Sequence, residues 1–93
     1  MRTIQWATQF KRDYRHVKAS PRHKNIDALL PAILALLAAD KPLPQENKDH
    51  PLTGPWKGFR DCHVRSDLVL IYKKIGQGEL ILTRLGTHSE LFG

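Results

Sequence analysis

Residues 68–85, LVLIYKKIGQGELILTRL, decide the fold of this chain. They hold two β-prone runs, Leu68–Lys73 and Glu79–Leu85, on either side of the glycine-containing turn IGQG. A turn this short joins antiparallel neighbours. A further β-prone run, Trp56–Val64, comes shortly before the pair, so the sequence predicts a three-stranded antiparallel meander.

Two helices are predicted before the meander. The first has a candidate N-cap at Thr8 and is stopped by Pro21, and the second runs from Asn25 to Ala39. The second helix has Pro31 in its interior. Because an interior proline costs a helix about 3 kcal/mol, we expect either a kink there or a helix that begins only a turn earlier.

These elements together predict an α+β fold. A strand at Thr3–Trp6 comes first, then an antiparallel helix pair, then the meander, with the helices packed on one face of the sheet. The chain has 93 residues, 41% hydrophobic and 26% charged, which is typical of one globular domain with one modest core. The predicted domain covers residues 1–93.

The chain is strongly basic. Lysine and arginine number 15 against 9 aspartates and glutamates, a net charge of +6, and the pI is about 9.8. A cationic surface favours a polyanionic partner such as nucleic acid, although the same charge also keeps small proteins soluble. Four cations recur at helical spacing on the first predicted helix and form either a phosphate-binding or a solvated face: Lys11, Arg15, Lys18 and Arg22.

Nothing in the sequence predicts a membrane or an oxidising environment. The start, MRTIQWATQF, lacks the pattern of a signal peptide, and the apolar run ALLPAILALLAA is too short to span a bilayer. A lone Cys62 cannot form an internal disulfide or a zinc knuckle, and is expected to be a small buried residue. We therefore predict a cytoplasmic protein.

Titratable residues concentrate around GFRDCHVRSD, residues 58–67. Strand alternation puts Asp61 and His63 on one face of the sheet. Asp67 joins them, opposite His63, if the following link has three residues, and faces the other way if it has two. His50 from the preceding loop and His88 after the last strand can reach the same face.

This cluster suggests two chemistries. A metal site is one, but the spacing matches no helical or knuckle motif, so we expect no metal and no cofactor. The other is metal-free RNA cleavage, in which a base deprotonates a ribose 2′-hydroxyl that attacks the adjacent phosphate and an acid protonates the leaving 5′-oxygen. Histidine suits both roles because its reference pKa is about 6.5. The sequence does not decide which histidine is the base.

Substrate contacts are predicted around the same sheet. Arg60, Arg84 and Lys57 are candidate phosphate contacts, and Arg84 is the best placed to stabilise charge in the transition state. Simple solvation is the other explanation for the lysine. Phe92 is expected either to stack on an exposed base or to pack into the core.

Three stretches carry a family resemblance. DHPLTGPWKGFRDCHV, then DLVLIYK, then RLGTHSELFG resemble the YafQ-type toxins of the RelE/ParE superfamily, whereas residues 1–47 agree mainly in pattern. The resemblance implies a RelE-like fold and a ribosome-dependent mRNA endonuclease. By matching positions, it implies that the catalytic residues are His50, Asp61, His63, Asp67 and His88, assisted by Phe92.

The resemblance also implies partners. They are a DinJ-type antitoxin that holds the toxin inactive, the ribosome with its mRNA, and operator DNA through the antitoxin only. Two alternatives stay open at this point: a ParE-like toxin acting on DNA gyrase, and an RNA-binding module without chemistry. Neither needs the histidine and aspartate cluster, which favours the nuclease.

Overall fold

The predicted meander is the centre of a five-stranded mixed sheet in a computed structural model, which describes residues 1–93. Its elements are β1 Thr3–Trp6, α1 Thr8–Ala19, α2 Ile26–Ala38, β2 His50–Pro51, β3 Arg60–Arg65, β4 Leu68–Ile75, β5 Glu79–Gly86 and α3 His88–Phe92, with short 3₁₀ helices at Gln45–Asn47 and Gly54–Trp56. The α+β prediction is confirmed. None of the helices is long and apolar enough to cross a membrane.

The sheet has the strand order β1-β5-β4-β3-β2. The three central strands are antiparallel neighbours, as predicted, but β1 pairs parallel with β5, from Thr3 opposite Glu79 to Trp6 opposite Leu82. A parallel pair needs a long crossover connection, and here both helices and most of the sheet lie between the two strands. At the other edge, β2 contributes only two residues.

One face of the sheet is covered by α1 and α2. Strand residues such as Leu70, Tyr72 and Leu82 pack there against Phe10 of α1 and Leu37 of α2, and all five are at most 1% exposed. Burying one such side chain contributes about 1.5–3 kcal/mol, so this layer dominates the stability of the domain.

Cys62 lies in the same core with no exposed surface, as predicted. Desolvation raises the pKa of its thiol well above the ordinary value, so Cys62 stays protonated and unreactive.

The opposite face carries a smaller apolar cluster. Val69 and Ile71 of β4 are buried there under Leu91 of α3. Trp56 joins this cluster by an edge-to-face contact with Phe59, 5.3 Å between ring centroids, which confirms that Trp56 is a packing residue.

Several predicted boundaries were wrong. The N-cap of α1 is Ala7, not Thr8, and no side chain caps the helix. The predicted strand Trp56–Val64 begins at Arg60 instead of Trp56, because Gly58, with φ +95°, turns the chain out of the extended conformation. For Pro31, the expectation of a helix that begins about a turn before the proline fits. The helix α2 begins at Ile26, so Pro31 lies in its second turn.

Candidate active site

The pairing of β2 with β3 places His50 directly opposite Asp61. Opposed residues of an antiparallel pair project to the same face, so the two side chains meet. His50 Nδ1 lies 3.1 Å from Asp61 Oδ1. The imidazole is half exposed at 52%, whereas the carboxylate is 1% exposed. The pair therefore combines a solvent-accessible ring with a buried charge.

Lys48 fixes the tautomer of His50. Its φ of 48° lies in the left-handed region, and its carbonyl oxygen is 2.8 Å from His50 Nδ1. A carbonyl can only accept a hydrogen bond, so Nδ1 carries the proton and donates it. In the neutral ring, Nε2 is left with the free lone pair.

Asp61 is a buried carboxylate with too few donors. The His50 proton is directed at the Lys48 carbonyl, so the contact with Asp61 is electrostatic, and Asp61 Oδ1 has no hydrogen-bond partner. Burial raises the pKa of Asp61, and the nearby charges of His50, His63 and His88 oppose that rise. The carboxylate is therefore stabilised most when these imidazoles are protonated.

His63 lies two residues along β3 from Asp61, on the same face by strand alternation. Its backbone carbonyl accepts a 2.7 Å hydrogen bond from the Asn47 side-chain amide, which ties the 3₁₀ helix Gln45–Asn47 to the strand. Its partner across the sheet is Val69. Of the two alternatives for Asp67, the three-residue link that would place it opposite His63 is therefore excluded.

Asp67 lies instead in a two-residue turn, because Arg65 pairs with Leu68 after a register shift. Its carboxylate receives Arg22 Nε at 2.6 Å and His23 Nε2 at 3.0 Å. The hydrogen bond with His23 is the main reason why the pKa of Asp67 is lowered. The contacts of Asp67 thus hold the link between α1 and α2, and do not join it to Asp61 and His50.

His88 is the first residue of α3 and faces Phe92 one turn later, with 4.7 Å between ring centroids. Thr87 and Glu90 form a capping box that starts this helix. Gly86 permits its close approach, since a Cβ there would lie 3.1 Å from a Glu90 oxygen. We did not predict α3, although the T-x-x-E pattern of a capping box was present in the sequence.

A concave pocket of about 460 Å³ is lined by His50, Asp61, His88 and Phe92, among others. His63 and Asp67 do not line it. Phe92 is half-buried and packs edge-on against Trp56, with 6.3 Å between centroids. Two imidazoles, a buried carboxylate and an aromatic ring therefore border one cavity.

Two of the three predicted cationic contacts form ion pairs with aspartates of the same chain. Arg84 donates to both oxygens of Asp13 on α1, at 2.7 and 3.3 Å. Arg60 donates to both oxygens of Asp49, at 3.4 and 3.3 Å. Lys57 is exposed in the loop before β3. Their role toward a substrate stays a prediction.

Sequence reasoning missed Asp49. Its carboxylate accepts hydrogen bonds from Arg60 and from the hydroxyl of buried Tyr72, at 2.5 Å in the latter case. These bonds anchor the segment that carries Lys48 and His50. The only signal in the sequence was an aspartate directly before a candidate catalytic histidine. No three histidine, cysteine, aspartate or glutamate side chains are grouped so as to hold a metal ion.

Comparison with known proteins identifies the family. The model of the YafQ family, described as a bacterial toxin of type II toxin-antitoxin systems, matches residues 2–93. The chain belongs to the YafQ toxin family. The mRNA interferase toxin YafQ of Escherichia coli K12 is 42% identical to this YafQ-family chain over 92 residues, which is 99% of the chain and 97% of the relative. A putative toxin YafQ of Haemophilus influenzae is 42% identical over 91 residues, 94% of the chain and 88% of the relative.

Solved YafQ structures share the whole fold. YafQ from E. coli BL21(DE3) superposes with a TM-score of 0.85 at 40% identity, with both chains fully covered. A chain from the E. coli DinJ-YafQ complex gives a TM-score of 0.84 at 41% identity, again with full coverage of both. The architecture described for this YafQ-family toxin is thus that of its relatives.

Proposed function

We propose that this chain is the toxin of a type II toxin-antitoxin pair and inhibits translation by cutting mRNA on the ribosome. The relatives from E. coli are named mRNA interferases, and the family is one of toxins. The observation that carries the proposal is Asp61, buried at 1% exposure with an oxygen that lacks a hydrogen-bond donor, 3.1 Å from an accessible imidazole. Such a carboxylate costs stability, and its benefit lies in chemistry.

His50 is the proposed general base. Its Nε2 lone pair faces away from the Lys48 carbonyl and takes the proton of a ribose 2′-hydroxyl, while the 2′-oxygen attacks the adjacent phosphorus. The ring becomes an imidazolium as it accepts the proton. Asp61 stabilises that positive charge from within the protein, where screening by water is weak. This favours the transition state over the neutral ground state.

His88 is the proposed general acid. It lies on α3 and lines the same pocket as His50, and in its protonated form it can donate to the leaving 5′-oxygen. Phe92, 4.7 Å from His88 between ring centroids, offers a surface on which a base flanking the cleaved bond can stack. His63 takes no part in the proton transfer and stabilises negative charge on the phosphate.

Four of the predicted site residues act in the proposal without touching the transferred protons: Asp67, Arg84, Arg60 and Lys57. Asp67 braces the link between the two helices through Arg22 and His23, and acts on catalysis through that position. The three cations raise the local affinity for RNA phosphates, as does the net charge of +6. No metal or cofactor takes part in the proposed reaction.

The proposed inhibitor is a DinJ-type antitoxin. Solved structures of E. coli YafQ in complex with DinJ provide the basis for this partner. In this proposal operator DNA is bound only through the antitoxin. A gyrase-directed toxin remains the alternative, but it leaves the buried Asp61 and its surrounding imidazoles without a role.

The test is to induce the chain in cells and map new 5′ ends of mRNA, beside the His50→Gln and His88→Ala variants. We expect cuts in translated frames with the wild type and few with either variant. Purified ribosomes programmed with a labelled mRNA then identify the ends, and a 2′,3′-cyclic phosphate or 3′-phosphate is expected. DNA damage without mRNA cuts would overturn the proposal in favour of the gyrase alternative.

A further inference from the structure

One polar side chain of the active-site pocket has no part in the proposed reaction. Besides the ionisable groups of His50, Asp61 and His88, the lining of the pocket is mostly apolar, from Leu52, Pro55, Trp56, Leu91 and Phe92. Thr53 is the one neutral polar side chain among these residues. It lies in the loop between β2 and β3 and is exposed to the solvent.

The hydroxyl of Thr53 is not used by the fold. Thr53 is the N-cap of the 3₁₀ helix Gly54–Trp56, a position where a threonine side chain commonly accepts a backbone hydrogen bond, but no such bond is formed. The hydroxyls of Thr83 and Thr87, in contrast, are hydrogen-bonded within the chain. A hydroxyl that lines a pocket without a partner in the protein is available to a ligand.

The backbone that carries Thr53 is held in place. The carbonyl of Thr53 accepts a hydrogen bond from the Trp56 N–H at 3.4 Å, and the neighbouring Leu52 N–H donates to the Phe59 carbonyl at 2.9 Å. Pro55 restricts φ within the same turn. The position of the hydroxyl therefore varies only with the rotamer of Thr53 itself.

The same loop contacts the proposed stacking surface. Trp56, three residues after Thr53, packs edge-on against Phe92, and all three side chains line one pocket. The volume of about 460 Å³ is within the range of roughly 300–1,000 Å³ usual for ligand sites. A base that stacks on Phe92 therefore enters the cavity that Thr53 borders.

The hydroxyl of Thr53 is the group left to bind the edge of that base. In the proposed mechanism His50 and His88 exchange protons with the 2′- and 5′-oxygens, and Asp61 is buried beside His50. A hydroxyl can both donate and accept a hydrogen bond. Since the four bases differ in the donors and acceptors along their edges, a hydroxyl on a fixed backbone bonds some of them better than others.

We propose that Thr53 is a specificity-determining residue, whose hydroxyl binds the edge of the base stacked on Phe92 and so biases which sequences are cut. This role rests on the proposed function, because it concerns the same pocket and the same RNA. It also goes beyond that function, since neither the proton transfers nor the phosphate contacts distinguish one base from another.

The experiment measures single-turnover cleavage on ribosomes programmed with four mRNAs that differ only in one base beside the cleaved bond, for each flanking position in turn. Thr53→Val keeps the shape of the side chain and removes the hydroxyl. It should lower the ratio of the best to the worst rate by about three- to tenfold, through slower cleavage at the best base. Thr53→Ser should retain most of the ratio. Thr3→Val, the same change at an exposed position of β1 outside the pocket, is the matched control and should leave the ratio unchanged.

A binding measurement tests the same role without cleavage. The probes are 2′-O-methyl trinucleotides with each of the four bases at the central position, which lack the nucleophile and cannot be cut. Methyl NMR of Thr53 in the wild type, and of Leu52 in all variants, follows the titration. We expect Thr53→Val to raise the Kd of the tightest trinucleotide by about three- to tenfold and to leave that of the weakest unchanged.

Two results overturn the proposal. One is an unchanged base preference in Thr53→Val, which makes Thr53 a solvated loop residue and leaves the proposed nuclease intact. The other is an equal loss of rate with all four bases, which assigns the hydroxyl to the reaction or to the fold. A wild-type protein that cuts no mRNA on ribosomes is a separate outcome that counts against the proposed function, and the trinucleotide titration still tests Thr53.

Discussion

The Nδ1–H of His50 is donated to the carbonyl of Lys48 at 2.8 Å, although the Asp61 carboxylate lies only 3.1 Å from the same nitrogen. The backbone thus holds the ring and its tautomer, and the carboxylate supplies charge without taking the proton. This division leaves Nε2 free towards the solvent side. It also leaves Asp61 Oδ1 unpartnered, which explains why the site is costly to build.

His50→Gln tests the proposed base. The amide fills part of the same space but cannot take up a proton, so single-turnover cleavage of ribosome-bound mRNA should fall by about 10²- to 10⁴-fold. Affinity for an uncut 2′-O-methyl RNA should change little. Cleavage at the wild-type rate by this variant would exclude His50 as the base.

Tyr72→Phe tests how the His50 segment is held. The substitution removes the hydroxyl that donates to Asp49 and leaves the buried ring in place. We expect a loss of about 1 kcal/mol in the free energy of unfolding, together with slower cleavage and a mixed tautomer of His50 in ¹⁵N NMR spectra. Tyr14→Phe is the matched control, because Tyr14 contacts Trp6 and Phe10 through its ring.

If Tyr72→Phe lowers stability but the tautomer and the rate stay as in the wild type, Asp49 only anchors the loop. A pure loss of rate with an unchanged tautomer also contradicts the positioning role. The spectroscopic readout is needed because a core substitution can slow any enzyme through its stability alone.

Asp61→Asn is expected to stabilise the protein while abolishing cleavage. Burial raises the pKa of Asp61, so its contribution to stability is lost as the pH rises through that raised value, from about pH 4 upward. The gain from Asp61→Asn should therefore grow as the pH rises above the unfolded-state value of about 4, to the order of 1–3 kcal/mol.

Urea unfolding at a series of pH values measures this gain. An Asp61→Asn variant less stable than the wild type at pH 8 would show that the carboxylate has a structural role instead.

Asp13→Asn, unlike Asp61→Asn, should lower the free energy of unfolding at neutral pH. Partial burial alone would raise the pKa of Asp13, but the hydrogen bonds from Arg84 and from the Leu85 N–H outweigh it and lower the pKa. The stabilisation is present above the unfolded-state value of about 4 and is lost as the pH falls through the lowered one. We expect Asp13→Asn to cost about 1–2 kcal/mol at pH 7, with the difference from the wild type shrinking at acidic pH. A difference that is constant from pH 7 down to pH 3 would contradict the ion pair.

The meander and the two long helices could be predicted from the sequence because the local patterns agree with the final structure. The meander follows from alternating β-prone runs and one short turn, and the helices follow from apolar residues at helical spacing. The parallel pairing of β1 with β5 could not be predicted from the sequence, because no local pattern specifies a partner strand more than seventy residues away. Asp67 shows the same limit at short range: one residue more or less in the turn decides its face, and a register shift near Arg65 settled it.

The candidate site was predictable in its residue types but not in its arrangement. Alternation along β3 correctly gave Asp61 and His63 one face, and the two-residue strand that brings His50 to Asp61 had no strand signal. The unpartnered oxygen of Asp61 and the donation to Lys48 depend on backbone geometry, above all the positive φ of Lys48. Such geometry leaves no trace in composition or spacing.

The pairing of β1 with β5 has a consequence for synthesis. The first strand has no place in the sheet until residues 79–86 have left the ribosome, and His88 is made only after them. Since translation proceeds at roughly 5–20 residues per second, the nascent chain spends seconds without a complete sheet or the proposed acid–base pair. A polypeptide whose synthesis stops before residue 79 therefore lacks both the partner strand of β1 and His88.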